Sequence, residues 1–144
     1  MGTYQELGIK RIINCFDTYT LLGGHTLCKD VREAIDEANR SWAWIWDIQR
    51  KTGERIAELL GAEAAFVPVG VYAGMAQCVA ALMAGADPKK MKQLPNTNGM
   101  KNEVIAQKCL RDFQYDRSIT VTGAKIVEVG DEKLGCTPPQ MEEA

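Results

Sequence analysis

Apolar residues recur along the chain at two different spacings, and the change from one to the other marks out its elements. From Asp30 the residues Val31, Ala34, Ile35 and Ala38 fall on one helix face, with Asp30 at the N-cap and acidic Glu33 in the first turn, which predicts a short amphipathic helix. Residues 50–60 repeat the helical spacing through Ile56, Leu59 and Leu60, and Gly61 stands where a left-handed C-terminal cap is wanted. The next six residues, AAFVPV at 64–69, form a short continuous apolar run of strand length. Gly70 follows, and VYAGMAQCVAALMAG then reads as a helix closed by Gly85, so this stretch predicts a strand, a tight turn and a helix. Beyond a polar stretch with Pro88, Pro95 and Gly99, residues 104–106 and 125–129 read as two more strands, with a short helix between them at about 115–121. Alternating strands and helices imply an α/β domain with a mainly parallel sheet and flanking helices.

The two ends read differently. The first 28 residues mix short apolar pieces with the Gly23-Gly24 pair and predict an irregular arm. In SWAWIW the residues Trp42, Trp44 and Trp46 share one face if the segment is a strand and spread apart if it is a helix, so its conformation stays open. Thr137-Pro138-Pro139-Gln140 combines a capping-box pattern with proline at the first helical position. A helix is being started there with about seven residues left, fewer than a globular helix usually has. The expectation is a chain that continues; the alternative is a frayed polar tail that resembles a cap.

Composition narrows the function classes. With 46% hydrophobic and 25% charged residues, the 144-residue chain suits one globular domain or part of one. Seventeen basic residues against 19 acidic ones leave no positive excess to draw a polyanion, so nucleic-acid binding is unsupported. Cys15, Cys28, Cys78, Cys109 and Cys136 form no C-x-x-C pair and have no histidine at metal-ligand spacing, which predicts structural thiols, no metal site and a reducing, cytoplasmic compartment. No segment has the apolar length of a signal peptide or a membrane span. His25, the only histidine, reads as a solvated loop residue, and the three tryptophans as core or subunit-interface residues.

The turn at Gly70 is the best place for chemistry on pattern alone. The first turn of a helix offers unpaired N–H groups and a partial positive charge that favour a phosphate, and glycine lets a ligand approach the backbone. Neither a G-x-G-x-x-G nor a Walker motif accompanies it, so the bare pattern stays weak and a nucleotide-binding domain has no phosphate loop here.

Four stretches in fixed order add a resemblance. IINCFDTYTLLGGHTLCKDVREAIDEA, RIAELLGAEAAFVPVGVYAGMA, GMKNEVIAQK and YDRSITVTGAKIVEVG together span most of the chain. They resemble the opening of the selenocysteine-synthase-like pyridoxal-phosphate (PLP) enzymes, the group that includes L-seryl-tRNA selenium transferase and glucosaminate-phosphate ammonia-lyase. The resemblance implies a fold type I, aspartate aminotransferase-like enzyme: an arm and first helices over residues 1–50 and the first part of the PLP-binding large domain over 51–144. It implies that Gly70, Val71 and Tyr72 form part of the cup for the cofactor phosphate, and that Tyr19, Thr20, Arg111 and Asp116 face a small amino-acid-like substrate. It also implies β-elimination or replacement chemistry and a homo-oligomer, or pairing with the rest of the enzyme.

The sequence departs from that pattern at named positions. Val69 stands where the group places a small hydroxyl residue, bulky Val71 and Tyr72 follow the glycine, and Leu110 stands where a histidine packs against the cofactor ring. PLP chemistry also needs a lysine and an acidic partner for the pyridine nitrogen. The resemblance places both further along than residue 144 and gives neither Lys101 nor Lys125 that role, so no catalytic residue is assigned and the 144 residues alone are expected to be inactive. The competing expectation is a non-catalytic, degenerate paralogue that associates with a full-length relative.

Overall fold

The computed structural model describes residues 2–16 and 18–144. The chain divides into two compact units, Met1–Asp47 and Ile48–Ala144, with the division inside the first turn of one helix.

The first unit is largely irregular, as its mixed composition predicts, but holds two helices and a turn. Helix α1 is Thr3–Glu6 and helix α2 is Lys29–Ala38, with a 3-10 turn at Thr20–Leu22 between them. The carbonyl of Tyr19 accepts from the N–H groups of Leu22 at 2.9 Å and Gly24 at 3.0 Å, and the Phe16 ring meets Tyr19 edge-on at 5.5 Å between centroids. The start of α2 corrects the expected cap. Cys28, in extended conformation, is the N-cap and its carbonyl takes the first helical bond from Arg32 at 3.2 Å. Asp30 lies inside the first turn instead, where its charge still complements the helix's positive end.

The tryptophans lose one of their two expected places, the core. Trp42 and Trp44 precede the next helix and Trp46 lies within it, and all three are exposed, Trp42 completely, so none serves as a core residue of this chain. Helix α3, Ile45–Leu60, thus starts five residues before the helical spacing becomes clean at Arg50.

In the second unit α3 ends as expected, with Gly61 in the left-handed region and the Ala62 N–H reaching back to the Ala57 carbonyl at 2.9 Å. Residues 64–69 are not a strand. They run without a ladder partner among the described residues, because an apolar run becomes a strand only where another strand meets it. What holds the segment is α3. Gln49 Nε2 donates to the Val67 carbonyl at 3.1 Å, and buried Gly53 faces the Ala65 carbonyl so closely that any side chain would collide with it.

Helix α4, Val71–Ala84, leads through a short helix α5, Pro88–Gln93, to the sheet. Helix α5 lies in the polar stretch without apolar periodicity, where Asp87 caps it by accepting from the Lys89 N–H at 2.8 Å and Pro88 opens it. Strands β1, Glu103–Gln107, and β2, Lys125–Val129, pair in parallel from Glu103↔Lys125 to Gln107↔Val129. Helix α6, Phe113–Thr120, joins them and packs on both α4 and β2. Besides Gly53, the buried residues among those described are Ala57, Met83, Ala84, Ala124 and Val129, with Ser118 and Thr122 turning their hydroxyls onto local carbonyls at 2.6 Å. Helix α7, Pro138–Glu142, has the expected Thr137–Gln140 contact, with Gln140 Oε1 accepting from the Thr137 N–H at 2.9 Å.

Candidate functional site

Chain direction puts one edge of this unit in position to bind. Because α6 starts just after the carboxyl end of β1, its N-terminus lies at the carboxyl edge of the parallel pair. The chain passes from the C-terminus of α4 through α5 to the amino end of β1. Met75 in α4 meets Ser118 in α6, sulfur to hydroxyl at 3.7 Å, and so ties the two helices side by side. The carboxyl edge of an open α/β sheet is where such folds hold ligands.

Gly70 makes the start of α4 unusual. Its φ of 151° and ψ of 167° lie in a region that only glycine occupies without strain, and a Cβ there would meet nothing within 4 Å. The constraint is therefore conformational, and the space in front of the backbone is open. The first helical bond runs from the Gly74 N–H to the Gly70 carbonyl at 2.9 Å. Ahead of it the N–H groups of Val71, Tyr72 and Ala73 meet no acceptor among the described residues, and no side chain caps the helix. Three aligned donors at a helix start, with room before them, can take an anionic oxygen group. Val69 is fully exposed and contributes no hydroxyl, while Val71 and Tyr72 are exposed beside the open backbone. An apolar cleft of about 440 Å³ lies between Phe66 and Pro68 and the face of α4 formed by Gly74, Gln77, Cys78 and Ala81.

The second predicted group comes together as an ion-pair cluster. Arg111 donates through Nε at 2.9 Å and Nη2 at 2.7 Å to the same Oδ2 of Asp116, and through Nη1 to Glu128. Hydrogen bonding to Asp116 is the main cause that raises the Arg111 pKa above its ordinary value, so the guanidinium is always charged. Glu128 had no signal in the sequence. It is one acid in the strand KIVEV, and its partner lies 17 residues away. Leu110, at the histidine position of the resemblance, is exposed at the end of a 3-10 turn, and Tyr115 is exposed on α6.

Tyr19 and Thr20 belong to the first unit and form the turn already described. His25 is exposed, and so are Lys101 and Lys125. The five cysteines are free thiols. Among the described residues, no group of histidine, cysteine, aspartate or glutamate could hold a metal ion, and no helix is long and apolar enough to cross a membrane.

Comparison with known proteins gives a consistent direction. No family model matches the chain. It is similar to D-glucosaminate-6-phosphate ammonia lyase of Salmonella typhimurium (strain 14028s / SGSC 2262), at 34% identity over 98% of this chain and 39% of that protein. It is also similar to 5'-C-glycyluridine monooxygenase-decarboxylase of a Streptomyces species, at 33% identity over 88% of this chain and 33% of that one. A solved structure of D-glucosaminate-6-phosphate ammonia-lyase matches the whole chain with a TM-score of 0.90 and 32% identity, over 40% of its own length. The chain spans 33 to 39% of the length of the two curated relatives, and it shares the α/β fold of the corresponding stretch of the ammonia-lyase.

Proposed function

We propose that the natural protein is a fold type I PLP-dependent enzyme, and that this chain supplies the first part of its large domain. The observation that carries the reading is the start of α4: a glycine in a glycine-only conformation, followed by three N–H groups with no acceptor among the described residues. Those groups fit the phosphate of the cofactor, with Gly70, Val71 and Tyr72 as its cup and the Ala73 N–H as a further donor. When bound, PLP supplies an electron sink that acidifies the substrate's α C–H. The residues of this chain hold and orient. The backbone of 70–73 would hold the phosphate, and the Arg111 guanidinium, held by Asp116, would orient the substrate.

The two curated relatives narrow the substrate. Both names describe an amino acid carried on a sugar framework. We assign this chain to the same class, a small amino-acid-like substrate, with elimination of ammonia from a phosphorylated amino sugar acid as the reaction. Tyr19 and Thr20 are proposed to face that substrate, and the proposed setting is a cytoplasmic homo-oligomer. The exposed tryptophans and the nearly all-apolar α4, whose Leu82 and Val71 lie open, support an assembly in which neighbouring polypeptide covers them.

A second reading, a degenerate paralogue that binds a full-length relative, draws on Val69 and exposed Leu110. One assay separates the two: ammonia release from D-glucosaminate-6-phosphate by the PLP-saturated natural protein. Turnover supports the enzyme, whereas PLP binding without turnover, together with a stable complex with the full-length lyase, supports the paralogue. Absence of both would overturn the proposal.

A further inference from the structure

We propose that Arg111 is an oxyanion-exchange site: Asp116 holds its guanidinium in place, and Glu128 is a place-holder that a carboxylate or phosphate group of the substrate displaces. This deepens the enzyme reading and rests on it for the identity of the ligand. The argument starts from how unequally the two carboxylates are held. Asp116 takes two donors of Arg111 with one oxygen, and the side chains of this pair are only 20% and 25% exposed. Glu128 takes a single donor and is 49% exposed. A half-exposed pair is screened by water and weak, so Glu128 can swing into solvent, while the shielded pair with Asp116 persists.

Donor accounting gives the site its capacity. A guanidinium carries five N–H groups, three of which are engaged here. The two left over are one on each terminal nitrogen. With Glu128 gone a third joins them, enough for a planar or tetrahedral oxyanion to bind through two oxygens. Place in the fold completes the argument. Arg111 follows the carboxyl end of β1, Glu128 is the next-to-last residue of β2, and Asp116 is in the first turn of α6. All three therefore stand at the carboxyl edge of the parallel pair. Two carboxylates around one arginine leave a net negative cluster, which a negatively charged ligand enters only by replacing one of them. Glu128 is the one free to leave.

The test is calorimetric titration of the PLP-saturated natural protein, whose phosphate cup is already filled, with inorganic phosphate and separately with acetate. Glu128→Gln removes the competing charge from a half-exposed position and should tighten binding of at least one of them by about two- to fivefold. Adding Arg111→Gln should abolish that gain. Tightening for phosphate alone assigns the site to a phosphate ester, for acetate alone to a carboxylate, and for both to either group. Unchanged, weaker or undetectable binding in Glu128→Gln, with a melting temperature matching the parent, overturns the exchange and makes the cluster a structural clamp. PLP binding is measured independently, so failure here is distinct from failure of the enzyme reading.

Discussion

Replacing Gly53 by alanine should reverse the usual sign of a helical glycine substitution. In an exposed helix interior, Gly→Ala stabilises by about 1 kcal/mol, because glycine loses more backbone freedom on folding. Gly53 is buried in α3, and a Cβ there would run into the carbonyl oxygen of Ala65, with the carbonyl carbon 3.4 Å away. The obstacle is backbone, which cannot rotate aside as a side chain can. Overpacking of this kind costs about 1–3 kcal/mol, and a backbone collision belongs at the upper end. The net expectation is a loss of about 2 kcal/mol. Relief can come only from moving residues 64–69 off α3, which also strains the Gln49 bond to Val67 and displaces the chain that delivers Gly70. Urea denaturation of the natural protein, followed by two probes to verify a single transition, gives the stability change; a PLP titration of the same variant should show weakened affinity. A stability gain near 1 kcal/mol would refute the contact and, with it, the account of how the segment before Gly70 is held.

Three further outcomes follow from the geometry. The Asp131 carboxylate is held below its ordinary value of 3.8, mainly because the N–H groups of Lys133 and Leu134 donate to it at 2.8 and 3.0 Å. A lowered carboxylate pKa stabilises the fold above the unfolded value and loses that contribution as the pH falls through the folded one. Asp131→Asn should therefore lower stability at neutral pH and lose that deficit as the pH falls below about 4, which flattens the acid limb of a stability-versus-pH curve, and an equal shift at all pH values would contradict the assignment. Asp116→Asn should destabilise by about 1–2 kcal/mol in urea, since it weakens a partly shielded hydrogen-bonded pair; an effect within about 0.5 kcal/mol, roughly that of an ordinary surface change, would refute the clamp. Trp42, Trp44 and Trp46 should be protected from iodide quenching in the assembled protein and become quenchable on dilution below its association range, whereas full quenching at every concentration would contradict a covered interface.

What the sequence conveyed and what it withheld divide along physical lines. Helix α4, the glycine before it, the two parallel strands and the cap at Thr137 were legible, because periodicity, a glycine stop and a capping box are local signals that the backbone obeys locally. The strand expected at residues 64–69 was not realised, since pairing depends on a partner that no local pattern specifies. The start of α3 was obscured by three tryptophans at alternate positions, a strand-like spacing that lies partly on a helix. The cap of α2 was misplaced by two residues because Cys28 has none of the side-chain chemistry that marks a cap. At the candidate site, the glycine stop before α4 was legible, and Arg111 and Asp116, named through the resemblance alone, pair with each other. Glu128, Gln49 and Gly53 were invisible, because each acts on a residue 12 to 18 positions away.

The most direct test of the central claim is PLP titration of the natural protein and its Gly70→Asp variant side by side, followed by the change in cofactor absorbance. The introduced aspartate would bring its own carboxylate to the N–H groups of α4, in a backbone conformation that costs about 1–3 kcal/mol for any residue but glycine. The account predicts saturable binding of one PLP per chain in the parent and an affinity at least about tenfold weaker in the variant, the equivalent of about 1.4 kcal/mol. Equal affinity in the two proteins, or no binding in the parent, would contradict it.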